Sequence, residues 1–155
     1  MTRRVRVFDH WQLDVDRRAT VRAYRGIPPW GGIADSDSPV CLNFRLAYLQ
    51  MPAGFLAALD SLGINPTQPA EVYDVGPVEG GERPYGGWYH VVGKLLGGTD
   101  TLRPEGPGRW HMVYREIAPG FSVGVTARLT ALPPGFPSPA LQVEFWGQLP
   151  WLVEE

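Results

Sequence analysis

The features that would place this chain in a familiar class of enzyme or metalloprotein are absent from its sequence. Cys41 is the only cysteine among 155 residues, which excludes an intrachain disulfide and a cysteine-based metal cluster. His10, His90 and His111 form no His-x-His or His-x-x-x-His pair, so no metal site is predicted. Gly-x-Gly-x-x-Gly, Walker and Gly-x-Ser-x-Gly motifs are also missing, and we expect no nucleotide or other cofactor.

Long apolar runs and lysine are scarce as well. No run of about 18 apolar residues occurs, and residues 1–10 contain no apolar signal core, so we expect a cytoplasmic protein that does not enter the membrane. Lys94 is the only lysine, and the basic residues are otherwise arginine, which suggests a GC-rich genome and a bacterial source. The net charge of −2 gives no indication of a nucleic-acid or membrane partner.

The residues that are abundant indicate a folded protein with long turns. Hydrophobic residues make up 44% of the chain, while glycine and proline contribute 19 and 16 residues. A chain of this length is large enough to support one hydrophobic core. We therefore predict a single domain over residues 1–155, with most of the glycine and proline in turns and loops.

Alternation of apolar and polar residues predicts that much of the chain is β-strand. The clearest alternation runs from Val40 to Gln50. Other strands are predicted over residues 5–15, 20–25, 71–75, 88–96, 109–117, 121–129 and 141–149, with residues 97–108 as a long loop. Short turns between neighbouring strands favour antiparallel pairing.

One segment has a helical period instead. Pro52 suits a first helical turn, the apolar residues from Phe55 to Leu62 form one stripe, and Gly63 is a typical helix end. The sequence therefore predicts an α+β fold: a mostly antiparallel sheet of six or seven strands, with one main helix over about residues 52–62 packed on one face.

The stretch from Tyr85 to Leu96 is the best candidate for a binding site. Gly86 and Gly87 allow a turn or a close approach of another group, and Trp88 to Leu96 is rich in aromatic and β-branched residues. If this strand pairs with residues 109–117 so that opposed numbers sum to 206, His90 faces Glu116. The face so formed predicts a ligand- or partner-binding surface of Tyr85, Trp88, His90, Lys94, Trp110, Tyr114 and Glu116.

A register shifted by one residue remains an alternative. His90 would then face Arg115 and Lys94 would face His111, which suits an anionic ligand but places like charges in opposition. In the first register the carboxylate of Glu116 should raise the pKa of His90 above about 6.5 unless burial desolvates the imidazole first.

Two functions are compatible with these residues. The first is a non-enzymatic binding domain whose aromatic surface around residues 85–94 recognises a protein partner or a small-molecule ligand, because tryptophan and tyrosine are typical anchors of such surfaces. The alternative is a hydrolase or transferase that uses His90 with Glu116 or Cys41. Arg45 could lower the pKa of the Cys41 thiol, although a buried and inert cysteine is the commoner situation.

Overall fold

A seven-stranded antiparallel sheet and three α-helices form most of this protein in the computed structural model, which describes residues 1–74, 76 and 83–153. The strands are β1 (Arg3–Val7), β2 (Trp11–Val15), β3 (Glu71–Asp74), β4 (Arg83–Gly97), β5 (Leu102–Gly106), β6 (Arg109–Met112), β7 (Arg115–Ala118), β8 (Phe121–Thr126) and β9 (Ala140–Leu149). The helices are α1 (Arg17–Arg25), α2 (Pro39–Ala47) and α3 (Ala53–Leu62). The predicted α+β class with an antiparallel sheet is confirmed.

The sheet is built around β4, its longest strand. The strand order is β1-β2-β4-β9-β8-β7, and β3 also pairs with β4. One edge of β4 is paired with β9 over ten residue pairs, from Arg83 opposite Leu149 to Val92 opposite Ala140. The other edge is shared, because β3 pairs with its first half and β2 with its second half.

Helix α1 fills the gap that β3 and β2 leave on that second edge. The Tyr24 hydroxyl accepts a hydrogen bond from the His90 amide (3.0 Å) and donates one to the His90 carbonyl (2.8 Å). The Thr20 hydroxyl accepts from the Val92 amide at 3.0 Å, and the Asp16 amide donates to the Val92 carbonyl at 2.9 Å. Two side chains of α1 and the backbone amide of its N-cap residue thus satisfy backbone groups that a neighbouring strand would otherwise bond.

The hydrophobic core lies between the sheet and helices α2 and α3. Phe55 of α3 packs against Phe121 and Phe145 of the sheet, with ring centroids 5.2 and 5.6 Å apart. Phe44 of α2 stacks on Phe145 at 6.0 Å. Leu59 is fully buried. The predicted helix over residues 52–62 and its position on one face of the sheet are therefore confirmed.

The strand predicted over residues 20–25 is wrong, because this segment belongs to α1. Asp16 accepts a hydrogen bond from the Ala19 amide at 2.9 Å and so caps the first turn. Ala19, Thr20 and Tyr24 are buried, at the spacing of one helical face. The helix N-cap and this spacing outweigh the weak alternation of the segment.

The strand predicted over residues 40–50 is also wrong, and the part of the chain that the structure describes contains three α-helices where one main helix was predicted. Ser38 caps α2 by accepting from the Cys41 amide at 3.3 Å, and Pro39 occupies the first turn. The buried residues of α2 are Cys41, Asn43, Phe44 and Ala47. Because Leu42 and Leu46 are left exposed on the outer face, the apolar alternation does not reflect a buried strand face.

The segment predicted as one strand over residues 109–117 is divided between two sheets. Residues of β6 pair with β5 in a separate hairpin, whereas β7 pairs with β8. The predicted loop over residues 97–108 therefore contains β5, and Gly106 and Gly108 adopt positive φ angles in the hairpin turn. Within the residues that the structure describes, no helix has the length and apolar character needed to cross a membrane.

Candidate functional site

A cleft of about 360 Å³ lies on the sheet face opposite α2 and α3. We call it the aromatic cleft, and it is lined by Tyr73, Trp88, Leu102, Met112, Tyr114, Thr126, Arg128, Thr130, Gln142 and Glu144. Its floor comes from alternate residues of adjacent strands, since Trp88 lies opposite Glu144 in the pairing of β4 with β9. Alternation in β-strands directs these side chains away from the hydrophobic core.

The β5–β6 hairpin forms one wall and is held against β8 by Thr101. The Thr101 amide donates to the Val125 carbonyl at 2.9 Å, and its hydroxyl accepts from the Val125 amide at 2.8 Å. This close approach requires Gly124, because a Cβ there would lie 2.6 Å from the Thr101 methyl carbon. Leu102 and Met112 are paired in the hairpin and supply the apolar lining of this wall.

Two aromatic side chains form the opposite wall in fixed positions. The Trp88 indole nitrogen donates to the Thr130 carbonyl at 2.9 Å. The Tyr73 ring lies 6.3 Å from the Trp88 ring, centroid to centroid. Gly86 makes room for Tyr73, because a Cβ at residue 86 would lie 2.2 Å from the phenol ring. These contacts restrict the conformations open to the two rings.

A chain of hydrogen bonds connects the polar groups of the floor. Gln142 accepts from the Thr130 amide at 2.8 Å and donates to one Glu144 oxygen at 3.0 Å. The other Glu144 oxygen accepts from the Tyr114 hydroxyl at 3.0 Å. His90 Nε2 lies 3.1 Å from the same Gln142 oxygen. Because that oxygen only accepts, the neutral imidazole of His90 carries its proton on Nε2.

Glu144 is a buried carboxyl group with neutral hydrogen-bond donors. It is 8% exposed, and burial raises its pKa above the usual 4.5, against the lowering effect of the hydrogen bonds from Gln142 and Tyr114. Among the described residues, no lysine, arginine or histidine comes within 4 Å of its oxygens. Burial also raises the pKa of Tyr114, and the neighbouring charge of Glu144 adds to this effect.

His90 lies beneath this network, and no carboxylate of the described residues contacts its ring. It is 1% exposed, and Phe136 packs on its ring with centroids 5.9 Å apart. Burial lowers the pKa of His90, although hydrogen bonds to Gln142 and Thr130 partly oppose the shift. The predicted pairing of His90 with Glu116 is wrong, because Glu116 lies on a distant strand, and the stated exception to the pKa rise applies, because burial desolvates the imidazole.

Both predicted registers for β4 are wrong. The pairing partners of β4 are β2, β3 and β9, and β7 lies at the far edge of the sheet beyond β8. His90 consequently lies opposite Gln142 and not opposite Glu116 or Arg115. Sequence proximity favoured residues 109–117 as the partner, but both edges of β4 are occupied by segments from other parts of the chain.

The seven predicted site residues are only partly brought together. Trp88 and Tyr114 line the aromatic cleft, and His90 reaches it through Gln142. Tyr85 points into the core instead, where its hydroxyl donates to the Val40 carbonyl and accepts from Asn43, both at 3.1 Å. Burial raises the pKa of Tyr85 to about 12.

The remaining three lie elsewhere on the surface. Lys94 is opposite Asp14 where β4 pairs with β2. Trp110 lies on β6 and is 56% exposed. Glu116 is exposed on β7 and lines a different depression of about 590 Å³. Cys41 is buried in α2, on the core side of the sheet, so the geometry brings neither Glu116 nor Cys41 to His90.

Sequence reasoning missed Tyr73, Gln142 and Glu144 as site residues. The signal available was the alternation in β9, where Gln142 and Glu144 interrupt an apolar strand at every second position. Such residues usually face solvent. Here the β5–β6 hairpin and the segment from Arg128 to Thr130 cover that face, so the polar side chains are enclosed.

The aromatic cleft combines rings, hydroxyls, an amide and one buried carboxylate. A depression of about 580 Å³ near α1 is larger, but its charged residues, Arg17, Arg25 and Asp60, are exposed to solvent. Within residues 1–74, 76 and 83–153, no three His, Cys, Asp or Glu side chains converge as a metal site would require. Comparison of the chain with protein-family models, curated proteins and solved structures finds no match.

Proposed function

We propose that this protein is a non-enzymatic binding domain and that the aromatic cleft receives a small organic molecule. The observation that carries the proposal is the convergence of Tyr73, Trp88 and Tyr114 around the buried carboxylate of Glu144. Binding sites for small molecules typically combine an apolar and aromatic lining with a few convergent polar groups. The cleft volume of about 360 Å³ suits a molecule with one ring.

The groups that would touch the ligand are held by contacts within the protein. Trp88 is fixed by the Thr130 carbonyl, and Glu144 is fixed by Gln142 and Tyr114. A site ordered before binding loses little conformational entropy when the ligand arrives. This preorganisation supports recognition of one ligand shape over adaptation to many.

The lining favours binding over nucleophilic catalysis. Threonine supplies the aliphatic hydroxyls of the described lining, at Thr126 and Thr130. The Nε2 proton of His90 points to the Gln142 oxygen, and among the described residues neither threonine hydroxyl is hydrogen-bonded to His90 or Glu144. A nucleophile needs an adjacent base or a lowered pKa to react, and this arrangement supplies neither, so we prefer the binding function to a hydrolase or transferase.

A fragment screen observed by ¹H–¹⁵N NMR tests the proposal. We expect single-ring compounds to shift the indole resonance of Trp88, and Trp88→Leu to abolish their binding. Trp30→Leu is the matched control, since Trp30 is also half-buried but packs against Phe44 and Tyr48 on another side of the protein. If no fragment perturbs cleft resonances, or if Trp88→Leu binds the hits as well as wild type, the proposal is wrong.

A further inference from the structure

Glu144 places a buried carboxylate in the aromatic cleft. A carboxylate removed from water is costly unless a cation or several hydrogen bonds compensate its charge. Its two oxygens accept hydrogen bonds from the Gln142 amide and the Tyr114 hydroxyl, which are both neutral. Each oxygen has a second lone pair available, and the carboxyl group lines the cleft directly.

The nearest cationic candidate in the lining does not neutralise this charge. Arg128 lines the same cleft but is exposed to solvent, and its guanidinium makes no ion pair with Glu144 within 4 Å. No other lysine or arginine belongs to the described lining. The negative charge of Glu144 is therefore available to pair with a cationic ligand that enters the cleft.

The aromatic rings around Glu144 also favour a positively charged ligand. The faces of tryptophan and tyrosine rings carry negative electrostatic potential and attract ammonium groups within about 6 Å. The Trp88 and Tyr73 rings lie beside each other with centroids 6.3 Å apart, and the Tyr114 hydroxyl donates a hydrogen bond to the Glu144 carboxylate. A carboxylate surrounded by such rings is a site for a cation that also has an apolar body.

We infer that the aromatic cleft binds an organic cation, an ammonium group attached to an apolar or aromatic body, with the ammonium at Glu144. The inference rests on the proposed binding function and adds the charge of the ligand. The apolar body would contact Leu102 and Met112 on the hairpin wall. Trp110 lies on the same hairpin face as Met112 by strand alternation and extends that wall outward.

Three probes of nearly equal size test the charge: 2-phenylethylamine, which is protonated at neutral pH, uncharged 2-phenylethanol, and anionic 3-phenylpropionate. We expect the amine to bind wild-type protein at least about tenfold more tightly than the alcohol, and the anion to bind most weakly. Phenyltrimethylammonium distinguishes a primary ammonium that donates hydrogen bonds to Glu144 from a quaternary one held by the rings.

Single substitutions identify the residue that causes the preference for the amine. Glu144→Gln should weaken binding of the amine about tenfold and leave binding of the alcohol unchanged, since glutamine preserves the hydrogen-bonded shape without the charge. Glu116→Gln, which removes an exposed carboxylate outside the cleft, is the matched control and should have no effect. Arg128→Gln should leave binding of the amine unchanged or tighten it, because it removes a like charge.

The outcomes separate the two proposals. Equal affinities for amine and alcohol, or unchanged binding of the amine by Glu144→Gln, would overturn the cationic ligand while leaving the cleft a binding site. If the anion binds more tightly than the amine and Arg128→Gln loses that binding, Arg128 recognises the ligand, and the inference of a cationic ligand is also overturned. If all four probes fail to shift cleft resonances at millimolar concentration, both the charge and the binding function are refuted.

Discussion

The hydroxyl of Tyr24 bridges a break in the pairing of the central strand, and its removal should destabilise the whole protein. Tyr24 is 5% exposed, and its hydroxyl bonds both the amide and the carbonyl of His90. Phenylalanine retains the ring, which packs against Phe136 with centroids 6.2 Å apart. Tyr24→Phe therefore leaves two buried backbone groups without partners and changes little else.

The expected cost follows from those two groups. A buried donor or acceptor left unsatisfied costs about 1–3 kcal/mol, so the loss for the two groups should be about 2–6 kcal/mol in total. This is a large part of the ~5–15 kcal/mol by which a typical protein is stable. With a urea m value of about 2 kcal/mol per M, the unfolding midpoint should fall by about 1–3 M.

Urea unfolding of wild type, Tyr24→Phe and Tyr48→Phe measures this effect. Tyr48 is half-buried against the core, and its hydroxyl makes no hydrogen bond within the described residues, so it controls for the loss of a hydroxyl alone. If Tyr24→Phe and Tyr48→Phe unfold within about 0.5 kcal/mol of each other, the Tyr24 hydroxyl does not take the place of a neighbouring strand.

Four further outcomes are expected. Leu59→Asp should reduce the free energy of unfolding by more than about 3 kcal/mol, because Leu59 is fully buried on the inner face of α3; an unchanged urea midpoint would contradict this. Cys41 should react slowly with a thiol reagent in the native protein, since it is buried in α2, and rapid stoichiometric labelling would argue against an inert thiol. The stability of wild type relative to His90→Gln should fall as pH drops below about 6.5, because burial lowers the folded pKa and only the unfolded chain then gains a proton; an NMR titration showing a pKa above 6.5 would reverse this sign. The stability of wild type relative to Glu144→Gln should fall as pH rises above about 4.5, because a raised folded pKa means that the unfolded chain ionises first; a flat difference between the two unfolding curves would show that Glu144 is not desolvated.

Local patterns predicted the parts of the fold that depend on local interactions. The apolar stripe of α3 and the alternation of β8 and β9 correspond to elements that the structure contains. The N-caps Asp16 and Ser38 are local signals too, and they identify α1 and α2 better than the alternation of nearby apolar residues. Leu42 and Leu46 misled the prediction because they are exposed, and exposure is not evident from residue type.

The candidate site depends on contacts that local patterns do not contain. Trp88 and Tyr114 were predicted to share a surface, but the strand pairing used to join them was wrong. Their actual connection passes through Glu144 of β9, and the hydrogen bond between His90 and Gln142 spans 52 residues of sequence. Which distant strand pairs with β4 is decided by the packing of the whole sheet, so the enclosure of Glu144 could not be predicted from its neighbours.

The same carboxyl group links the stability of the protein to its proposed ligand, with opposite signs. Without a ligand, ionised Glu144 is desolvated and costs stability, so Glu144→Gln should make the free protein more stable at neutral pH. A cation that binds only the folded state adds stability according to its concentration relative to Kd, about 2.7 kcal/mol at a hundredfold excess. Glu144→Gln should lose that gain. A carboxylate that served only to bond Gln142 and Tyr114 would still be desolvated in the free protein, but its replacement by glutamine would leave the stability gained from the cation unchanged.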